Sequence, residues 1–587
     1  MGGILRVAGL AWAEAVMKGV FFIMQTYFTN VWKMSFTNAA TIMNVWGGLY
    51  RILPFFFLFI AETCLGNFVT LAFSSISSST GMVLITVATT PVFGQTVSSD
   101  RCFDKEGCVG HTEKILFITG MVLIGLGRAA RVATAEPFID DQIETSGHEE
   151  DETDHRPRLN WWRITCVLVF FGTPMVVIFA FPYIKKWYVL FGLSASCTTL
   201  ATLYFLLGSN TYKKPPPKAE RSPVTDFARV FVAAAFKITQ PLPAQDDARL
   251  HRIDGEEFQS LSPTRVMGFL HKAAIVMPGD RVGSWTLCSV SEVESAKATI
   301  RLVPILSCFI MFGVVSSIGN TYFIEQASHM NFNIGKWKPP YQLMHLISAY
   351  AKFGMVLLMK KYTDAYGEDG AIQMNLGFPA YSVICCAVAA AVERRRIHVL
   401  TRHDLLGLPD DGKVPMSAAW LFFQITFAGF MEPFSEFGFS AFFEIWAPKS
   451  MKRYKDCYVE GVTGFGFLCT ALSVYVVGQA SEAGGGKSWF QPRLNQSRLD
   501  RYYWVLTALC SLNLIAYAFV FPRPDGELLN MDGFFGIKSF ERAENDIELW
   551  SLKKGGPVEL VLRHHKLSPP ITLNVKNKLQ FLEYVLS

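Results

Sequence analysis

The chain has 587 residues, 51% of them apolar and only 18% charged, with a formal net charge of +5 and a mean hydropathy of +0.27. Soluble domains carry about 25% charged residues, so this composition points to a chain whose solvent is largely lipid. It argues against a secreted disulfide scaffold, a disordered chain and a nucleic-acid binder, and so small a net charge names no acidic partner.

Roughly 20 apolar residues cross a bilayer as a helix. Six such stretches lie near 9–30, 40–61, 68–93, 114–135, 163–183 and 187–208. A polar segment follows at 209–299, and six more stretches lie near 300–324, 341–360, 372–392, 415–445, 457–479 and 502–522. The first run holds Glu14 and Lys18 and lacks a small-residue cleavage site, so it reads as a span and not a signal peptide. The expectation is an all-α membrane protein with 12 transmembrane helices in two six-helix bundles, 1–208 and 300–523. A linker at 209–299 joins them, and a polar tail at 524–587 follows. Two such halves related by an axis along the membrane normal are the organisation of the major facilitator fold.

In chain order, the loop between spans three and four holds Cys102 and Cys108, which could form a disulfide or remain thiols. The loop Asp140–Arg158 carries eight acids. No ligand spacing repeats in it, so it reads as a solvated acidic loop. The linker has twelve Lys/Arg against ten acids, which predicts that it and both termini are cytoplasmic. Lys449, Lys452, Arg453 and Lys455 agree with that orientation, whereas Arg394, Arg395 and Arg396 fall in a loop it places outside. Within the linker, Pro223–Lys237 reads as a helix with Phe227, Val230, Phe231 and Ala234 on one stripe, either plainly packed, lying on the membrane surface or lying across the two bundles. Asn495-Gln496-Ser497 is a candidate glycan acceptor. The eleven histidines form no iron- or zinc-binding pattern, and Gly484–Ser488 lacks the first glycine of a phosphate loop. No cofactor, metal or catalytic constellation is expected, which disfavours an enzyme.

Charges inside spans carry the functional signal, because one near mid-bilayer costs about 2.5–3.5 kcal/mol on insertion scales. Glu14 and Lys18 are four apart on one helix face and can pair. Arg128 and Arg131 sit near the end of span four, where at least one can snorkel. Lys352 lies in span eight, and Glu432 and Glu436 in span ten. Glu432 precedes Pro433, which removes a backbone donor and weakens the helix, and a carboxylate at such a place suits a substrate or proton site. Lys352 can pair with Glu432 across the second bundle. The candidate substrate and proton-coupling residues are therefore Glu432, Glu14, Lys18 and Lys352.

Four segments resemble the plant nitrate/peptide transporter branch of the proton-dependent oligopeptide transporter family. Leu53–Phe68 is similar to the family's end of span two and its Asp-x-x-x-Gly-Arg loop, with Glu62 for the Asp, Gly66 kept and Asn67 for the Arg. Ser222-Pro223-Val224-Thr225 resembles its Ser-Pro-Leu-Thr. Phe323–Gln326 with Met330-Asn331 resembles the close of span seven, and Leu494-Asn495 with Leu499-Asp500 resembles its Leu-Asn-x-x-x-Leu-Asp. The resemblance implies a twelve-helix major facilitator fold, alternating access and proton-driven symport of a small solute. It also implies a multi-pass protein of the plasma or vacuolar membrane, with protons, a small solute and lipid as its partners. The departures bear on mechanism. The family's span-one Glu-x-x-Glu-Arg-Phe reads Glu14, Ala15, Val16, Met17, Lys18, Gly19, with one carboxylate lost. Its span-four Gly-Gly-Ile-Lys-Pro reads Ala129, Ala130, Arg131, Val132, Ala133, without the lysine, and a span-seven tyrosine position reads Ser316. These losses motivate an alternative, a non-transporting sensor or interaction protein on a transporter scaffold.

Overall fold

The computed structural model describes residues 2–90, 109–143, 186–215, 223–242, 265–278, 285–333, 339–374, 377–407, 413–483 and 485–520, with isolated positions between them. Thirteen α-helices run through these residues. They are α1 (Gly2–Asn30), α2 (Phe36–Ile52), α3 (Pro54–Ile60), α4 (Gly66–Ala88), α5 (His111–Ile143), α6 (Trp187–Leu207), α7 (Pro223–Phe236), α8 (Val290–His329), α9 (Leu343–Met374), α10 (Gly377–Arg402), α11 (Leu421–Trp446), α12 (Lys455–Glu482) and α13 (Leu499–Val520). Eleven of the twelve expected spans coincide with these helices, while the fifth, with Cys102, Cys108 and most of the acidic loop, lies largely outside the described residues. Among the described residues, eight stretches are long and apolar enough to cross a membrane. One of them, Phe36–Ala88, takes in α2, α3 and α4.

Local chemistry sets the breaks. Ser35 caps α2 by accepting from Asn38 N at 3.3 Å, satisfying one orphan donor of the first turn. Pro54 lacks an amide donor and opens α3, so the expected single span at 40–61 is two helices. A π-helical turn at Ala61–Leu65 follows and ends at Gly66, whose φ of +77° suits glycine. The apolar run expected at 415–445 begins as a short strand, Val414–Ser417, paired parallel to Met330–Asn331. α11 starts only at Leu421 and runs unbroken through Pro433, so the proline weakens that helix without breaking it.

Apolar surface faces two ways. α4 packs most extensively on α5, where Gly81 and Gly120 bring the backbones together: a Cβ on Gly81 would lie 2.6 Å from Gly120 O. One buried cluster joins α1, α4, α5 and α6, and the largest is centred on α8, α10, α11 and α13. On the outside, Leu200, Leu207, Leu472, Leu512 and Phe519 are exposed, as acyl chains require.

α8 begins ten residues earlier than the apolar run predicts. Ser289 and Glu292 form a reciprocal capping box at its start, and at 1.5 Å per residue its 40 residues span about 60 Å, twice a hydrocarbon core. The overhang carries the linker. Val230, Ala233 and Ala234 of α7 pack on the 3-10 helix Arg265–Ala274 and on Val290, Val293 and Ala296 of α8. This resolves the linker helix as packed, with Phe231 of the expected stripe exposed. Arg229 joins Glu292, and Lys237 Nζ meets Asp280 at 2.9 Å and Ile275 O at 2.5 Å. Burial and the neighbouring Glu292 push the Asp226 carboxyl up to about 6, with Arg229 3.7 Å away on its own helix. A carboxyl raised on folding favours the native state most when protonated, so its penalty is full above about 6 and fades as pH falls from there toward the ordinary value of 3.8. We expect Asp226→Asn to raise thermal stability at neutral pH and to flatten the pH dependence between acidic and neutral buffers. Unchanged pH dependence in that variant contradicts the assignment.

The three arginines that conflicted with the predicted orientation are not a solvated loop. α10 extends through them. Arg396 is fully buried against Glu393 at 2.7 Å and donates to Asn495 Oδ1 at 2.6 Å, while Gln326 donates to Glu393 at 2.6 Å. Arg395 stacks over Trp420 at 4.2 Å. Asn495 is 2% exposed and committed to Arg396, which leaves no room for a glycan on the folded chain.

Candidate functional site

The charged residues of the spans gather into two clusters that face each other. In the first, Arg131 Nε lies 2.8 Å from Glu14 Oε2 and Arg128 Nε 3.6 Å from Glu14 Oε1. Arg128 and Arg131 are three apart on α5 and so share a face. Arg131 also donates to Leu10 O at 2.8 Å, and the Arg128 guanidinium lies over Tyr50 at 4.4 Å, Phe21 at 5.8 Å and Trp46 at 6.0 Å. Neither arginine snorkels: both turn inward, because Glu14 offers a partner inside the bundle. Lys18, one turn above Glu14, stands within electrostatic reach of Glu14, Arg128, Glu460 and Lys352. Arg131 stands one residue before Val132, the position of the family's span-four lysine.

In the second cluster, Lys352 Nζ of α9 lies 3.1 Å from Glu436 Oε1 and 3.6 Å from Glu432 Oε2 on α11. The two glutamates are four apart, hence one turn apart on the same face. Glu436, which sequence reasoning left without a role, is the nearer partner. The Glu432 side chain is 32% exposed against 18% for Glu436, so Glu432 is the more accessible of the two.

Between the clusters runs a seam formed by α2 and α12. Arg51 Nε pairs with Glu460 at 3.1 Å, its guanidinium lies 4.4 Å from the Phe467 ring, and Glu432 is within its electrostatic reach. Gly48 and Gly464 let the backbones meet here: a Cβ on Gly464 would lie 2.6 Å from Gly48 O. Contacts also cross at both ends of the seam. At the end where α1 finishes, Gln25 Nε2 donates to Glu325 at 3.0 Å, and the Thr26 and Tyr341 hydroxyls are 2.6 Å apart. At the other end Arg453 meets Glu62 at 3.1 Å and the Tyr454 hydroxyl donates to the same carboxylate. Nearby, Asn67 donates to Asp141 at 2.8 Å. Among the described residues no group of three His, Cys, Asp or Glu side chains could hold a metal ion.

The chain is similar to proteins with the same layout. The POT family profile PTR2 matches residues 68–490. Protein NRT1/PTR FAMILY 5.5 of Arabidopsis thaliana is 31% identical over 529 residues, covering 87% of this chain and 95% of that protein. NRT1/PTR FAMILY 5.7 of the same plant is 26% identical, covering 88% and 87%. Among solved structures, an auto inhibited POT family peptide transporter matches with a TM-score of 0.57 at 14% identity over 87% of this chain and 96% of that one. A POT family transporter in complex with 5-aminolevulinic acid matches with a TM-score of 0.53 at 12% identity, covering 89% and 96%. The structural likeness carries the major facilitator fold, and the sequence match carries the kinship. This multi-pass membrane chain, with ion clusters facing each other across two sets of helices, belongs to the POT family of transporters.

Proposed function

We propose that the protein is a secondary transporter that moves a small polar or anionic solute between the bundles 1–208 and 300–523 by alternating access, coupled to protons at Glu432. The observation that carries this reading is one cation facing two carboxylates. A proton on Glu432 leaves Lys352 paired with Glu436 and the cluster neutral, whereas its loss gives the cluster one net negative charge, so the proton changes the charge that the cluster presents. Charge balance supports the solute class. Glu14 stands against Arg128, Arg131 and Lys18 on one side, and Lys352 stands against two glutamates on the other. A solute with an anionic group directed toward Lys18 would complement both. The contacts at the two ends, Gln25–Glu325 and Glu62–Arg453, would open in turn as the bundles rock about the α2–α12 seam.

Lys352 and Lys18 would hold the solute, and Glu14, locked by Arg131, would position Lys18. Nitrate, peptides and related metabolites fall within this chemistry, on the plasma or vacuolar membrane. The test is an uptake screen in oocytes at acidic and neutral pH over nitrate, dipeptides and small zwitterions. Solute-evoked inward current that grows with external acidity supports the proposal. Met17, which cannot titrate where the family has a second glutamate, favours the alternative of a non-transporting sensor. A well-expressed protein silent across the panel would decide for that alternative.

A further inference from the structure

We propose that the first bundle holds a binding site for a small monovalent anion, separate from the pathway between the halves and built on Arg128 and Ser78. A cavity opens inside this bundle, lined only by α1, α4, α5 and α6, with no residue of the second half. Its charged lining is two guanidiniums, Arg128 and Arg131, and one carboxylate, Glu14. One acid therefore serves two bases in a lipid-embedded interior, where an uncompensated charge is costly.

The donors are unequal. Arg131 is committed to Glu14 and to Leu10 O. Arg128 reaches Glu14 only at 3.6 Å, beyond hydrogen-bond range, and otherwise touches aromatic faces. Its guanidinium offers five N–H donors and makes no hydrogen bond to another described residue. The hydroxyls lining the cavity can be counted in the same way. Ser74 donates to Gly127 O, Ser75 to Ala72 O and Thr198 to Ser194 O. Thr202 donates to the Ser75 or Thr198 carbonyl, which leaves the Ser79 proton for Thr202. Ser78 alone among these hydroxyls has no hydrogen bond to a described residue. Arg128 and Ser78 thus present unused donors to one cavity with a surplus positive charge. The complementary ligand is a pure acceptor carrying one negative charge, such as chloride, nitrate or a carboxylate. Water would fill the space and leave the surplus charge unbalanced.

Such an anion would tie α5 to α4 and hold Glu14 to Arg131 whichever way the halves tilt. It extends the transport reading without resting on it. The test uses the full-length protein in lipid nanodiscs, unfolded thermally in sodium gluconate with chloride, nitrate or acetate exchanged in at constant ionic strength. The expected result is a saturable rise in Tm with at least one of these anions. Response to chloride and nitrate assigns an inorganic ion, and response to acetate alone assigns a carboxylate group; either supports the site. Arg128→Gln should abolish the rise, Arg128→Lys should keep part of it, and Ser78→Ala should raise the half-saturating concentration about tenfold. If Arg128→Gln fails to fold, the Ser78→Ala shift decides alone. No saturable rise with any of the three anions overturns the site, as does an undiminished response in Arg128→Gln or, where that variant does not fold, in Ser78→Ala. Solute uptake is not read in this experiment, so its failure leaves the transport proposal standing.

Discussion

Lys352→Met should destabilise the folded protein by about 3–5 kcal/mol and abolish solute uptake, because it removes one partner of a buried ion cluster. Glu432 and Glu436 lie 3.6 and 3.1 Å from this single ammonium. Without it two carboxylates share one helix face in the bundle interior with no facing cation from α9. The size of the effect lies in what is left behind, not in the strength of the pair. Neutralising the remainder should therefore restore folding: Lys352→Met with Glu432→Gln and Glu436→Gln should recover monodisperse protein and thermal stability while uptake stays lost. Fluorescence-detected size exclusion and thermal unfolding of the three proteins read this directly. A single Lys352→Met variant as stable as the parent would mean that the glutamates find compensation elsewhere.

Gly464→Leu should prise α12 from α2 and stop transport. The added Cβ alone would sit 2.6 Å from Gly48 O and 2.7 Å from Arg51 Cβ, and neither a backbone carbonyl nor a helix-borne Cβ can retreat without moving α2. Overpacking of this kind costs about 1–3 kcal/mol or more, and it also shifts Arg51 away from Glu460. Gly354→Leu is the matched control, since nothing lies within 4 Å of its Cβ position on an exposed face of α9. The control should transport normally in an uptake assay. Equal activity in both variants would show that the seam tolerates separation.

How much of this was legible in the sequence follows from the range of each interaction. Spans were readable because lipid imposes the same apolar length on every crossing, and the clustering of Lys352 with Glu432 was readable because so few charges lie in those spans. Glu436 went unassigned although its i,i+4 spacing from Glu432 was the signal that marked it. The Glu14–Arg131 pair joins residues far apart in sequence, and nothing in the local spacing says which face of α5 turns inward. The same holds for Arg396: three consecutive arginines look like a solvated loop until the helix is seen to continue and to rotate one of them onto Glu393. Asn495 matched a glycan acceptor because three residues define that motif, whereas burial depends on α10. Strand Val414–Ser417 was hidden in an apolar run because periodicity cannot separate a short strand from the start of a helix.

Proton coupling at Glu432 is the centre of the account, and it is tested by solute-driven proton movement in proteoliposomes carrying the parent protein or Glu432→Gln. Once the uptake screen has supplied a solute, an inward gradient of it should acidify liposomes carrying the parent. The variant should still exchange labelled solute across the membrane at equilibrium with no acidification. Full acidification by Glu432→Gln would contradict the account, and the proton would then have to ride on another carboxylate.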